Sequence, residues 1–401
     1  MHTILCISSY FKGVEFMREA KALGHHVTLI TSASLKHDKW PWESLDEVFY
    51  MSEVEPFKWN MDHLILGIAA YMRHRNIDTV VALDDFDVEK AAKVREIFRI
   101  PGMGQTTHRY FRDKLAMRSK AEAEGIQCPT FTSIFNNEII NTFIESVEAP
   151  WVLKPRSEAS ATGIKKFDNA NDLWKCIHAL GDERHNYLLE QFRPGDVYHV
   201  DSLVYKGEIH FACASRYLNP PLSVSHGGGV FMSTTLDPNE KETQDLLHFN
   251  NELLQKFGLQ NGATHSEFIK DKETGNWYFL ETASRVGGAY ISNMVEHATG
   301  INLWKEWARI EFALLNEQEY ILPDIQNHFA GLLIALSKEE NPDLSFVNDV
   351  EFVEKIDKKY HIGLMFKSNS YDRIQALLQQ YSTYVSENIL NIIPPKSYAT
   401  E

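Results

Sequence analysis

Short apolar runs alternate with longer amphipathic segments along the first quarter of the chain. Residues 3–8, 26–31 and 79–83 are apolar and rich in β-branched side chains, which predicts three buried strands. Residues 14–24 and 61–75 have the apolar spacing of helices. Short strands that alternate with helices indicate a parallel, Rossmann-like sheet. No Gly-x-Gly-x-x-Gly follows the first strand, so a dinucleotide site is not expected there.

Three further sections follow this first one, at residues 114–187, 188–311 and 312–401. The second combines helices with a strand and a flexible loop, the third contains two probable hairpins, and the last is predicted to be a small α/β unit. The predicted strands are 151–155, 187–191, 199–205, 208–214, 264–270, 277–282, 330–336 and 360–366, and the predicted helices are 88–98, 114–124, 170–180, 239–257 and 370–380.

Composition narrows the function classes. The chain has 401 residues, enough for two to four domains with large cores. Forty basic and 55 acidic residues give a net charge of −15, which argues against a general nucleic-acid binder. A local basic pocket for an anionic ligand stays possible inside an acidic protein. No run approaches 18 apolar residues, so no membrane association is expected.

The cysteines and the N-terminus predict a cytoplasmic protein. Cys6, Cys128, Cys176 and Cys213 are far apart in the sequence and form no Cys-x-x-Cys pair, so reduced thiols are expected. The first residues lack the basic and long apolar regions of a signal peptide.

Two glutamates on successive strands are the most informative pair. Glu267 and Glu281 lie on strands joined by a tight turn at residues 271–276, so they can face each other on one side of a hairpin. Two facing carboxylates repel unless a cation lies between them, and Mg²⁺ prefers oxygen ligands. The hairpin therefore predicts a Mg²⁺ site, with two solvent-facing glutamates as the alternative.

Basic residues could complete an anion site. Lys154 ends an apolar strand and precedes the small-residue loop 157–163, whose amides could surround a phosphate. Lys114 begins a helix, a second place that suits an anion. Arg285 precedes the glycine pair 287–288, where a guanidinium and backbone amides can approach a phosphate or carboxylate. Each could equally be an ordinary surface residue.

The order of these features resembles the ATP-grasp superfamily, in particular its carboxylate–amine ligases such as the L-amino acid ligases. The matching stretches are Lys114, Lys154 with its loop, Glu190-Gln191-Phe192, His265-Ser-Glu267-Phe268 and Glu281-Thr-Ala-Ser-Arg285-Val-Gly-Gly. The resemblance covers about residues 1–311. It implies a Rossmann-like N-terminal domain (1–113), the small lid subdomain (114–187) and the large subdomain (188–311) of an ATP-grasp fold, and a C-terminal α/β unit (312–401).

The resemblance also implies site roles. For ATP, the residues implied are Lys114, Lys154, Ser157, Ser160, Gly163, Glu190, Gln191, Phe192 and Asp196. For Mg²⁺, with Mn²⁺ as a possible substitute, they are Glu267, Glu281 and Ser284. For the substrate they are His265, Arg285, Gly287 and Gly288, with Arg285 and Lys154 in catalytic roles.

Two positions depart from the family pattern. Ser284 stands where many members have a metal-binding asparagine, and serine can still offer an oxygen. Val197 stands where a glutamate usually contacts the ribose, so Asp196 is the residue that could act instead. His265 is an open case, because a core histidine is nearly as compatible with the sequence as a site residue.

The implied reaction joins a carboxylate to an amine through an acyl phosphate and releases ADP and phosphate. Its expected partners are small-molecule substrates, here amino acids, and a homodimer is possible. The alternatives are a nucleotide-binding regulator of the same fold that has lost turnover, or a related reaction such as biotin carboxylation or purine-pathway ligation. The loop at 223–234, with His226 and three glycines, could be a mobile cover or a long turn.

Overall fold

The N-terminal sheet is parallel and has four strands. This structure is a computed structural model that describes residues 1–55, 58–159, 161–222, 224 and 228–392. The strands β1 to β3 and β6 are ordered β3-β2-β1-β6, and β4 pairs with β5 as a separate ribbon. Their bounds are β1 Thr3–Ser8, β2 His26–Ser32, β3 Glu47–Met51, β4 Glu53–Glu55, β5 Lys58–Trp59 and β6 Thr79–Ala82, with helices α1 Val14–Ala22, α2 Met61–Tyr71 and α3 Val88–Phe98. The Rossmann-like prediction is confirmed.

A second, antiparallel sheet belongs to a small unit. Its order is β7-β10-β8-β9, and an apolar cluster that includes Ile140, Leu153 and Leu173 fills the space between this sheet and two helices. The elements of this section are α4 Lys114–Ala123, β7 Phe131–Ser133, α5 Asn137–Ser146, β8 Trp151–Pro155, β9 Lys165–Phe167, α6 Ala170–Leu180 and β10 Tyr187–Gln191.

The largest sheet has eight antiparallel strands in the order β15-β14-β11-β12-β13-β16-β18-β17. Its strands are β11 Gly195–Tyr205, β12 Glu208–Tyr217, β13 Phe231–Thr235, β14 Gly262–Asp271, β15 Trp277–Ala283, β16 Phe329–Leu336, β17 Phe352–Lys355 and β18 His361–Ser368. The helices are α7 Lys241–Phe257, α8 Ile291–Thr299, α9 Leu303–Leu315 and α10 Tyr371–Asn388.

The N-terminal unit docks on the large one through two helices. Helix α1 packs against α9, with the rings of Phe16 and Trp307 edge to face at 5.4 Å. Arg309 on α9 also forms an ion pair with Glu19 on α1 at 2.8 Å. This contact joins the N-terminal unit to a helix that packs against the large sheet.

The sheets group the strands differently from the expected sections at two points. Strand β10 pairs with β7 and β8, so the small sheet extends beyond residue 187 to Gln191. The strands β16 to β18 of the last section do not build a sheet of their own, because β16 pairs with β13 and continues the large sheet. Sequence patterns predict strands but not their neighbours, since pairing is decided by distant segments.

Some predictions concern residues that are not described. Ser160 and the His226-Gly227 part of the predicted loop lie outside the described residues. Among the helices that the structure describes, none combines the length and the apolar character that a membrane crossing requires.

Candidate active site

A cavity of about 680 Å³ lies between the small unit and the large sheet and reaches the N-terminal unit. This volume is in the usual range for small-molecule sites. Its lining includes basic side chains from three sections of the chain and two glutamates from the β14–β15 hairpin. The charged lining residues are Asp85, Arg112, Lys114, Lys154, Glu158, Lys166, Glu190, Arg193, Glu267, Glu281 and Arg285, together with His265.

Glu267 and Glu281 are direct cross-strand partners on β14 and β15. The register shifts immediately after Glu267, where the next pair is Phe268 with Phe279. Such a bulge locally re-aims side chains and is frequent beside active sites. The hairpin predicted from the sequence therefore forms, and both carboxylates line the cavity.

Lys114 holds one of these carboxylates. Its ammonium lies 2.7 Å from Glu281 and donates a hydrogen bond of 2.7 Å to the backbone carbonyl of Glu158. Burial alone would raise the pKa of Glu281, but the Lys114 charge lowers it to about 2. Lys114 begins α4, and its backbone N–H donates to the carbonyl of Arg156. The start of the helix is therefore bonded to the residue that precedes the loop 157–163.

Lys154 and Glu190 form a buried ion pair at 2.5 Å between the neighbouring strands β8 and β10. Arg118 on α4 lies 2.9 Å from the other carboxylate oxygen of Glu190 and is fully buried. Burial lowers the pKa of Lys154, and the Glu190 charge opposes this effect. The Glu190 carboxylate is thus held between two cations and positions Lys154 at the cavity wall. Glu190 also lines the cavity itself.

The resemblance implies that the backbone of Gln191 and Phe192 holds the adenine of ATP, and both backbone N–H groups are already bonded within the protein. The N–H of Gln191 donates to the carbonyl of Thr130, and that of Phe192 donates to the carbonyl of Pro150. Backbone contacts from these two residues would therefore come from their carbonyl groups. The Phe192 ring lies at the cavity, with the Lys166 ammonium 4.1 Å from its centre.

The described part of the loop 157–163 lies over this end of the cavity. Glu158, Ala159, Ala161 and Thr162 line it, whereas Ser157 is exposed and its carbonyl accepts a hydrogen bond from Arg112. Gly163 has a φ of +73°, and a Cβ there would lie 2.9 Å from the Pro155 side chain. Glycine is therefore required by both conformation and space.

Arg285 lines the cavity and has unused hydrogen-bonding capacity. Its Nη1 donates to the carbonyl of Val286 at 2.9 Å, while its buried Nε–H has no partner among the described residues. Gly288 also lines the cavity here, and the Arg285 charge helps to lower the pKa of Asp84, after Lys12. A guanidinium with a free donor suits an oxyanion.

His265 faces the cavity and is not an isolated core residue. Its Nδ1 is 2.9 Å from Asp201, and its Nε2 is 3.6 Å from Glu267. Burial by itself would lower the pKa of His265, but the Asp201 charge raises it to about 9. Tyr217, which the sequence argument missed, donates a 2.8 Å hydrogen bond to Glu267, and burial together with that carboxylate raises the pKa of the phenol.

Among the predicted site residues that the structure describes, five do not line this cavity: Ser157 and Gly163 of the loop, and Asp196, Ser284 and Gly287. Gly195 and Val197 line the cavity, but Asp196 between them does not, because successive side chains of a strand point to opposite faces. The Asp196 carboxylate instead accepts a 2.7 Å hydrogen bond from Arg216. Ser284 lies on a second cavity with Trp307 and Glu311, so it is not grouped with the two glutamates. Gly287 packs behind the site, where a Cβ would lie 2.6 Å from Asp201.

Asp201, Tyr217 and Asp85 were missed because they belong to other parts of the chain. Asp201 and Tyr217 are on β11 and β12, and only sheet pairing brings them beside β14. Asp85 follows β6 in the N-terminal unit and is paired with Arg112 at 2.7 Å. The acidic turn at residues 84–87 was the available signal for Asp85, since loops after parallel strands meet at one sheet edge.

The residues present fit a divalent cation and a polyphosphate. Glu267 and Glu281 offer carboxylate oxygens on one sheet face, the donor type that Mg²⁺ prefers. Lys114 and Lys154 line the adjacent wall, where their charges can meet phosphate oxygens. Ser284 is left out of this set because it lines the other cavity.

Comparison with known proteins gives similar sequences and a similar fold. No protein-family model matches the chain. The chain is 29% identical over 235 residues to an L-arginine-specific L-amino acid ligase of Bacillus subtilis, covering 57% of this chain and 56% of that protein. It is 23% identical over 253 residues to an alanine–anticapsin ligase of Bacillus subtilis strain 168, covering 56% and 52%. The matches thus span about half the length of these curated relatives.

A solved structure matches over the whole length. The L-amino acid ligase of Bacillus licheniformis aligns with a TM-score of 0.75 and 19% identity, over 100% of this chain and 99% of that one. The chain therefore has the ATP-grasp fold, and its resemblance to the carboxylate–amine ligases of that superfamily is confirmed.

Proposed function

We propose that this protein is an ATP-dependent ligase that joins the carboxylate of one amino acid to the amine of another. The observation that carries the proposal is that one cavity is lined by Lys114 and Lys154, by the facing pair Glu267 and Glu281, and by the partly unpaired guanidinium of Arg285. The named relatives are amino acid ligases, which favours amino acids as the substrates.

The chemistry that such a site must assist is carboxylate activation. An amine does not displace oxide from a carboxylate. A carboxylate oxygen that attacks the γ-phosphorus of ATP displaces ADP and yields an acyl phosphate, and the amine then displaces phosphate from the acyl carbon and loses a proton. A bound Mg²⁺ would offset phosphate charge during this transfer.

Different side chains of the cavity would bind the phosphates, the metal ion and the substrate carboxylate. Lys114 and Lys154 would bind phosphate oxygens at one end, and Glu267 and Glu281 would hold the metal ion. Arg285 would bind the carboxylate and the charge that develops on the transferring group, because its Nε–H is free to donate. Residues 158–159 and 161–162 would help to keep water from the acyl phosphate.

An isotope experiment tests the reaction class. Purified protein with ATP and Mg²⁺ is incubated with pairs of L-amino acids, and ADP release and dipeptide mass are measured. With an ¹⁸O-labelled carboxylate, one label is expected in the released phosphate, since the carboxylate oxygen becomes the bridging oxygen of the acyl phosphate. ADP release that needs neither amino acid, or phosphate without label, would overturn the proposal.

The same assay separates the alternatives. ADP release that depends on bicarbonate would indicate a carboxylation instead. Nucleotide binding with no turnover across all pairs would favour the regulator. The presence of both lysines, both glutamates and Arg285 in one cavity favours an enzyme over that regulator. A cytoplasmic location and a homodimer stay predictions from the sequence.

A further inference from the structure

Asp201 is a fully buried carboxylate that the proposed chemistry does not use. It lies in the middle of β11 and does not line the cavity. Its Oδ2 is 2.8 Å from Nδ1 of His199, and its Oδ1 is 2.9 Å from Nδ1 of His265. A buried carboxylate is costly unless its oxygens are bonded, so this arrangement calls for an explanation.

Sheet register places these groups together. Across β11 and β14, Asp201 is the direct partner of His265, and His199 is the direct partner of Glu267. Residues two apart on a strand share a face, so all four side chains lie on the same side of the sheet. The network is therefore built on two paired strands of the large sheet and not on a loop.

The contact with Asp201 determines where the His265 ring points. With Nδ1 bonded to Asp201, the Nε2 atom lies 3.4 Å from the Tyr217 hydroxyl and 3.6 Å from Oε1 of Glu267. The Tyr217 hydroxyl donates to the same Oε1 at 2.8 Å. Asp201 is therefore connected to Glu267 through a single intervening side chain, that of His265.

Gly287 is an independent sign that this arrangement is tightly specified. An added Cβ would lie 2.6 Å from Oδ1 of Asp201 and 3.0 Å from Nδ1 of His265. Its backbone is outside the left-handed region, so space alone requires glycine here. The turn after Arg285 therefore closes directly over the Asp201–His265 contact.

We propose that Asp201 is a positioning residue that, through His265, holds Glu267 in the orientation needed to bind the metal ion. The inference rests on the proposed function only for the metal role of Glu267. Groups that orient a metal ligand commonly change metal affinity by roughly 10- to 100-fold when they are removed.

A second interpretation is that His199, Asp201 and His265 themselves bind an ion, since their ligand atoms lie within 4.8 Å of one another. Against it, both Nδ1 atoms and both Asp201 oxygens are already hydrogen bonded, and Nε2 of His199 lies 2.8 Å from Oγ of Ser233. The network is complete without an ion, which favours the positioning role.

The test measures metal binding directly. Mn²⁺ is titrated into the protein with an ATP analogue that cannot transfer its γ-phosphate, and free Mn²⁺ is followed by electron paramagnetic resonance. We expect Asp201→Asn to weaken Mn²⁺ binding by roughly 10- to 100-fold. Ser233→Ala is the matched control, because it removes a buried hydrogen bond at the far end of the network, and it should leave the affinity unchanged.

Gly287→Ala provides a second variant that removes no polar group. It should weaken Mn²⁺ binding in the same direction, because its methyl group displaces Asp201 and His265. If Asp201→Asn does not fold, judged by circular dichroism, Gly287→Ala decides the question. Wild-type Mn²⁺ affinity in the folded variants would overturn the proposal.

Two further outcomes are distinct. Mn²⁺ binding that survives Glu267→Gln but is lost in Asp201→Asn would assign the ion to the histidine cluster and overturn the positioning role. Wild-type protein that binds Mn²⁺ and nucleotide but releases no ADP with any amino acid pair would overturn the proposed function, while the Asp201 comparison would still stand.

Discussion

Glu267 and Glu281 face each other directly across the β14–β15 hairpin, and only Glu281 has a lysine ammonium in contact, that of Lys114 at 2.7 Å, among the described residues. Two carboxylates directly opposite each other on a sheet repel, so this pair favours a cation between them. The Tyr217 hydroxyl and His265 lie beside Glu267 and compensate part of its charge.

Loss of one carboxylate should remove metal-dependent turnover. We expect Glu281→Gln to lower kcat/KM for ADP release roughly 100-fold or more, because the amide carries no charge for the metal ion during phosphoryl transfer. The measurement is ADP release against Mg²⁺ concentration. Ser284→Ala is the control, and it should behave like the wild type because Ser284 lines the other cavity and not the one with the two glutamates. Equal losses in both variants would place Ser284 in the metal site.

The ribose contact predicted for Asp196 can be tested by replacing its side chain. Its side chain bonds Arg216 and lies near Lys272, away from the cavity. Asp196→Asn should therefore leave the KM for ATP within about twofold of the wild type, as is usual for changes outside a site. A rise of tenfold or more in that KM, with kcat unchanged, would restore Asp196 to the nucleotide site.

The buried contact of Arg118 with Glu190 should matter for stability. Arg118 is fully buried, and its Nη2 also donates to the carbonyl of Leu280 at 2.6 Å. Arg118→Met leaves Glu190 with Lys154 as its remaining partner, and breaking such a buried pair typically costs about 3–5 kcal/mol. Urea unfolding should show this loss. The exposed pair of Lys175 and Asp172 is the contrast, where Lys175→Met should leave the free energy of unfolding close to that of the wild type, because water screens the pair.

The last section should be inseparable from the large sheet. Removing residues 328–401 takes away β16, which pairs with β13 from Phe231 to Thr234. The truncation would expose β13 as an edge strand and uncover the apolar cluster around Met232, both of which favour aggregation. We expect the truncated chain to be insoluble on expression. A soluble monomer with a native-like thermal transition would show that this section folds as a separate unit.

Much of the local structure follows from the sequence. The helix predicted at 88–98 is Val88–Phe98, and the strand at 151–155 is Trp151–Pro155. The paired glutamates were also found, because a short turn between two apolar strands determines the register of a hairpin. Helices α5, α8 and α9 were missed, and α8 begins directly after Tyr290, whose backbone is left-handed, at the end of a glycine-rich turn.

The sequence by itself determined the period of each element, the hairpin that pairs Glu267 with Glu281, and the order of basic residues that resembles an ATP-grasp site. Only the tertiary structure decided which strands are neighbours, and hence that Asp201 and Tyr217 support Glu267, that Asp196 and Ser284 lie elsewhere, and that β16 extends the large sheet. The physical reason is the separation along the chain of the residues that interact. Helical and strand periods and tight turns arise from contacts a few residues apart, whereas sheet neighbours and buried ion pairs join segments far apart in the chain.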